Sequence, residues 1–267
     1  MQEIETSFRE EQPLENRRIV VTRPWEQSTG FSSLLKDFGA HVIQMPTVKI
    51  CGLNNPQDLD RIVVDSSQFD WIVFTSTNAV RFFIESIDRH ALSVIDICRN
   101  TKICCVGKET ARVSESYGLE VACVPITHTG LGIVELFASV GDLSGESFLI
   151  PSGSESRPTV PEGLRNLNAS VTVVLAYETI PILKVSEKLL TDVKSGIDLL
   201  TFTSPSTVKS FHDLVEGQIC APAAVIGPVT ARKAQQLGYE VLVHPVEYSM
   251  SGLLETVIRH FSNDELK

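Results

Sequence analysis

The chain has no apolar stretch approaching the length of a membrane span, so no spanning helix is expected. It is short of cations, with 23 Lys and Arg against 33 Asp and Glu and a formal net charge of -10. Nothing in it makes a basic stripe, which argues against nucleic acid as a partner. None of its 6 Cys stands in a C-x-x-C pair. Cys104 and Cys105 lie in a strand-like run, where thiols pack as small hydrophobes. A reducing, cytoplasmic setting without structural disulfides is the expectation. The 6 His are scattered, with no pair at metal-ligand spacing, so a metal site is not expected. There is no G-x-x-x-x-G-K-[ST] loop, and Gly130-Leu131-Gly132 lacks the third glycine of a dinucleotide fingerprint. No G-x-S-x-G elbow occurs either. Nucleotide, nicotinamide and serine-hydrolase chemistry are left without their usual motifs. Met1 to Arg17 is acidic and has no apolar run, unlike a signal or transit peptide, and reads as a frayed arm before Arg18.

What the chain does have is a sentence written twice. Asp70-Trp71-Ile72-Val73-Phe74-Thr75-Ser76 returns as Asp198-Leu199-Leu200-Thr201-Phe202-Thr203-Ser204. Each copy is a short apolar run, as in a strand buried on both faces, followed by a helix-like stretch. Each therefore puts a hydroxyl pair and a helix N-terminus at the carboxyl end of a parallel strand, the edge where open α/β sheets bind ligands. The replay continues. Val225-Ile226-Gly227-Pro228-Val229-Thr230-Ala231-Arg232 copies Cys105 to Arg112, Gly238 to Val241 copies Gly118 to Val121, and Ser251-Gly252-Leu253 copies Thr129-Gly130-Leu131.

Taken in order, Arg18 to Arg23 is a strand, Ser28 to Phe38 a helix and His41 to Met45 a strand, which makes one βαβ unit. Phe148 to Ala176 echoes it. Helices are also expected over Asn54 to Asp65, Ile133 to Ser139 and Gly163 to Leu167. Eight or more strands alternating with helices give an α/β protein of two related, doubly wound domains, a plan that 267 residues accommodate. Thr47 to Cys51 and Ala176 to Ile182 are extended connectors. They leave open whether the halves are tandem or the opening unit docks on the C-terminal units.

Thr75, Ser76, Thr110, Ser152, Ser154, Ser204, Ser206 and Thr230 each precede or open a helix, and capping alone explains most of them. Taken together, several helix starts with hydroxyls could hold a polyanion without many Lys or Arg. Gly107 and Gly227 would let backbone approach a ligand. Arg23 and Arg157 follow strands and are candidates for carboxylate binding. Arg112 and Arg232 belong on helix flanks.

Thr22-Arg23-Pro24, Phe-Thr-Ser twice, Gly-x-x-Thr-Ala-Arg twice and Tyr177-Glu178-Thr179 resemble the uroporphyrinogen-III synthase family from about Arg18 to Phe261. One departure is Pro151-Ser152-Gly153, where that family often carries a basic residue. The resemblance implies two flavodoxin-like domains with parallel sheets, joined by a two-stranded linker. Residues 1–46 plus 180–267 would form one domain and 50–176 the other, with 47–49 and 177–179 as crossovers. It implies that the substrate is hydroxymethylbilane, a linear tetrapyrrole with eight carboxylates. The reaction would be loss of water and ring closure with inversion of the last ring, by a monomer without a cofactor. Tyr177 would help the hydroxyl leave. Arg23, Thr75, Ser76, Thr110, Ser152, Thr203, Ser204 and Thr230 would bind substrate. The alternative is a non-enzymatic two-domain clamp for a small polyanion. A receiver-like module ranks last, because Asp70 and Asp198 stand at strand starts rather than strand ends.

Overall fold

The computed structural model describes residues 12–94, 98, 100–246 and 248–264. Most of the expected N-terminal arm lies outside them. From Leu14, however, the chain is part of the fold: Leu14 is fully buried and its N–H donates to Phe38 O at 3.0 Å. Leu14 and the residues up to Arg18 therefore belong to the fold rather than to the expected arm.

The elements run β1 (Arg18–Val21), α1 (Trp25–Asp37), β2 (His41–Gln44), β3 (Val48–Gly52), α2 (Gln57–Val64), β4 (Trp71–Phe74), α3 (Thr77–Arg89), β5 (Lys102–Cys105), α4 (Lys108–Ser116) and β6 (Val121–Cys123). They continue α5 (Gly130–Ala138), β7 (Ser147–Gly153), α6 (Thr159–Asn166), β8 (Ser170–Pro181), α7 (Glu187–Lys194), β9 (Leu199–Phe202), α8 (Pro205–Leu214), β10 (Ala223–Val225), α9 (Pro228–Gln236), β11 (Val241–Val243) and α10 (Met250–Asp264).

The chain divides into two compact units, residues 1–49 with 180–267, and residues 50–179. In the first, the strand order is β11-β10-β9-β1-β2, all parallel, and β1 pairs with β9 at Ile19↔Leu199. In the second, the order is β3-β8-β7-β4-β5-β6, and β8, β7, β4, β5 and β6 run parallel. The boundaries between the units fall inside β3 and β8.

Alternation along each strand builds a core on both faces of each sheet. In the second unit, Ile72 and Phe74 join one cluster with Phe83 and Ile87, while Val73 joins Ile133, Phe137 and Phe148 on the other face. In the first, Val20, Leu200 and Phe202 pack with Phe211, and Ile19, Val21 and Leu199 pack with Leu35 and Val257. Both sheets are thus covered by helices on both sides, as continuous apolar strands require. Emptying one such position, Phe74 or Phe202, to Ala would cost about 3–5 kcal/mol. The helices α4 and α9 end alike, on Gly118 (φ +84°) and Gly238 (φ +85°), where a left-handed residue stops the helix without a Cβ penalty.

Several boundaries differ from the sequence reading. The helix α1 begins at Trp25, directly after Pro24, rather than at Ser28. The helix α6 begins at Thr159 rather than Gly163, with Gly163 inside it. Gly130 and Gly132 do not precede α5 but form its first turn, because Thr129 caps it by accepting from the Gly132 N–H at 3.1 Å. Ser249 does the same for α10 through Gly252 at 3.1 Å. The repeat at this helix therefore equates Thr129 with Ser249, two residues from the pairing that Gly-Leu suggested. The helix α7, capped by Ser186, carries only one buried side chain, Val193, too little periodicity to stand out from sequence.

Candidate active site

Each sheet reverses its winding beside its central strand, between β4 and β7 in one unit and between β9 and β1 in the other. Ligands of open α/β sheets bind at the carboxyl ends of strands at such a point. The candidate residues fall there. Thr75 and Ser76 follow β4, Ser152 is the last residue but one of β7, and Tyr177 lies on β8 opposite Gly153. In the other unit, Thr203 and Ser204 follow β9 and Arg23 follows β1. Thr110 and Thr230 sit in the first turns of α4 and α9, one strand further out.

The capping explanation holds for only part of this set. Ser76 caps α3, accepting from the Ala79 N–H at 3.0 Å. Ser204 caps α8 in a capping box with Thr207, and Ser206 lies inside α8 with its hydroxyl 2.9 Å from that of Ser204. Thr110 and Thr230 cap nothing. The caps of α4 and α9 are Gly107 and Gly227, which have no side chain to offer. Ser152 is a strand residue, and Ser154 accepts from the Thr179 N–H at 3.0 Å rather than opening α6. Thr110, Ser152 and Thr230 are only 5%, 7% and 3% exposed, yet their hydroxyls make no hydrogen bond among the described residues. Ser66 Oγ is the one sealed, unpartnered side-chain atom among those residues. The three hydroxyls consequently remain within reach of solvent or a ligand.

Tyr177 owes its position to an irregularity. The pairing runs Ser152↔Leu175 and then Gly153↔Tyr177, so Ala176 is an extra residue in β8. With an unbroken pleat, Tyr177 would share the face of Val173 and Leu175, which are 44% and 41% exposed. The bulge instead turns its ring into the core beside Ala176 and Val174. The ring stacks on Phe82 with centroids 5.6 Å apart, and its hydroxyl lies 3.1 Å from Ser76 Oγ. Gly153 makes room, since a Cβ there would stand 2.7 Å from the Tyr177 hydroxyl oxygen and closer still to the ring. β8 is one strand through this point rather than a strand and a separate connector.

Charge is sparse at these edges. Arg23 Nε donates to Gln27 Oε1 at 3.1 Å, and Arg157 is exposed. Arg112 is occupied by Glu109 at 2.7 Å on the helix flank, as its spacing suggested. Asp70 and Asp198 tie the opposite, amino edges: Asp70 accepts from the Ser147 N–H and hydroxyl, and Asp198 from the Arg18 N–H. The Ser147 hydrogen bonds hold the Asp70 carboxyl below its ordinary range. Hydrogen bonding to Cys123 and burial push the Cys104 thiol well up, as befits packing rather than reactivity. Among the described residues, the edges are built from N–H and O–H donors, with no acid–base dyad.

Two kinds of comparison bear on what such edges serve. The model of the uroporphyrinogen-III synthase HemD family matches residues 30–255. The uroporphyrinogen-III synthase of Synechococcus elongatus is 30% identical over 255 residues, 91% of this chain and 95% of that protein. The chain belongs to the uroporphyrinogen-III synthase family. The synthase of Chlorobaculum parvum is 28% identical over 239 residues, 86% of this chain and 93% of its own length. In fold, this α/β synthase resembles the crystal structure of a mutant uroporphyrinogen III synthase from the extremely thermophilic bacterium Thermus thermophilus, with a TM-score of 0.64 at 16% identity over 93% and 99% of the two chains. The Helicobacter pylori enzyme gives 0.59 at 17% identity over 94% and 100%.

Sequence reading missed Thr129 and Ser249 as the caps of α5 and α10. The signal available was the hydroxyl three residues before a glycine, Thr129 before Gly132 and Ser249 before Gly252, which marks a cap in both units.

Proposed function

We propose that the chain converts hydroxymethylbilane to uroporphyrinogen III, the reaction of the family to which it belongs. Loss of the terminal hydroxyl as water leaves an azafulvene. Its methylene carbon bonds to the substituted carbon of the last ring, and a spiro intermediate rearranges to the inverted macrocycle. Unaided closure gives the uninverted isomer I. The task is therefore to hold a folded conformation and keep the competing closure out of reach.

The observation that carries this reading is the set of open donors at the carboxyl edges. Helix starts with free N–H groups, together with the hydroxyls of Thr75, Thr110, Ser152, Thr203 and Thr230, suit a ligand rich in carboxylates. An acidic chain holds an acidic substrate best with such neutral donors. Arg23 and Ser204 add to the binding surface of the first unit. Tyr177 takes the chemical role: its phenol O–H donates a hydrogen bond to the departing hydroxyl. Ser76, already bonded to that phenol, holds it in place.

The two compact units serve in this reading as flavodoxin-like domains, with residues 47–49 and 177–179 as a two-stranded linker. The protein acts as a cytoplasmic monomer, without metal, organic cofactor or nucleic acid. Incubation with hydroxymethylbilane followed by oxidation and isomer analysis tests the function. Uroporphyrin III is the expected product, and isomer I alone would overturn it.

A further inference from the structure

At the carboxyl edges, α1, α8, α9 and α10 start in one unit and α3, α4, α5 and α6 in the other. Of these eight, α3, α5, α8 and α10 carry a Ser or Thr cap whose side chain accepts from the first turn, and α1 and α6 begin after Pro24 and Pro158. Only α4 and α9 begin on a glycine with no side-chain cap. In α4, the Lys108 and Thr110 main-chain N–H groups and the Thr110 hydroxyl have no hydrogen-bond partner among the described residues. The backbone does not need this glycine for its dihedrals, since Gly107 has an extended φ of -169°. It needs the space. A Cβ at Gly107 would stand 3.2 Å from His128 Cβ and Cγ and 3.6 Å from Nδ1. Tyr248 takes the same place in the other unit, 3.3 Å from a Cβ at Gly227. His128 is half-buried, and neither of its ring nitrogens has a partner among the described residues. An uncapped helix start, an unpartnered hydroxyl on a threonine only 5% exposed and an unpartnered imidazole thus belong to one helix end. Unsatisfied donors of this kind call for an anion.

We propose that His128 is a substrate-binding residue: its imidazole N–H donates to a substrate carboxylate held on the Lys108 and Thr110 N–H groups and the Thr110 hydroxyl. The proposal rests on the reading that substrate acids sit at the helix starts. It also makes the two ends unequal, because an imidazole stands at one and a phenol at the other.

The test is steady-state turnover of hydroxymethylbilane with isomer analysis, on wild type, His128→Leu and His128→Gln. His128→Leu should raise KM about tenfold, ~1.4 kcal/mol, with kcat within about threefold. His128→Gln keeps a donor and should bring KM back to within about threefold of wild type. A KM within about twofold of wild type in His128→Leu, or the same rise in both variants, overturns the proposal. Melting curves check the fold; if His128→Leu melts early, His128→Ser replaces it and must show the same rise. Wild type forming isomer III beside an unaltered KM in His128→Leu refutes this inference alone. Wild type forming only isomer I refutes the function, and the inference with it.

Discussion

The two copies of Phe-Thr-Ser make the same local structure and differ in what they touch. Ser204 of the first unit is occupied by its own helix: Thr207 completes a capping box, and Ser206 stands 2.9 Å away. Ser76 of the second unit caps α3 and also meets the Tyr177 hydroxyl at 3.1 Å. The strands beside them explain the difference. In the first unit, the strand outside β1 is β2, four residues with no aromatic. In the second, the corresponding strand is β8, twelve residues with a bulge that turns Tyr177 inward. One inserted residue separates an edge without a tyrosine from an edge that seats Tyr177, the proton donor of the proposed function. The repeated pattern places hydroxyls at both edges, and the bulge makes the edges unequal.

The change expected to break this comparison most strongly is Gly153→Val. It drives the Tyr177 ring from its seat, with an expected loss in kcat of about 10³ and about 1–3 kcal/mol of stability from overpacking. Gly30→Ala in α1 is the control from the other unit. Nothing lies within 4 Å of a Cβ there, so it should leave turnover alone and raise stability by about 0.4–1 kcal/mol. Equal kinetics in the two variants, measured with matched melting curves, would remove the special status of the second edge.

Next come the two helices that begin on glycine. Thr110→Ala and Thr230→Ala should each lower kcat/KM by about tenfold, and the double variant by about a hundredfold, as for independent contacts to a charged ligand. A double variant no worse than either single one would make both threonines structural. The smallest effect sharpens the contrast between the caps. Ser76→Ala and Ser204→Ala should each cost about 1 kcal/mol in thermal or urea unfolding. Only Ser76→Ala should lower kcat, because only Ser76 holds Tyr177. A kcat loss in Ser204→Ala as large as that in Ser76→Ala would contradict the division of labour.

The doubled pattern was legible because its parts are short-range. Apolar runs such as Trp71–Phe74 and Leu199–Phe202 fix buried strands, and the hydroxyls after them fix caps. Gly118 and Gly238 fix helix ends. The position of Tyr177 was legible only as a place in the chain, since its burial depends on pairing between β7 and β8 and on one unpaired residue there. Thr110 and Thr230 read as caps because they open helices. That the true caps are glycines beneath His128 and Tyr248 is a matter of three-dimensional space, which spacing in sequence does not report. Leu14 looked like part of a charged arm because its partner, Phe38, lies beyond β1 and α1.

Single-turnover kinetics of Tyr177→Phe probe the asymmetry most directly. The substitution keeps the ring on Phe82 and removes only the hydroxyl that meets Ser76. Hydroxymethylbilane consumption should slow by about 10², with isomer III still the product and uroporphyrin III affinity unchanged. Consumption at the wild-type rate would contradict the account, leaving Tyr177 a packing residue and the two edges equivalent.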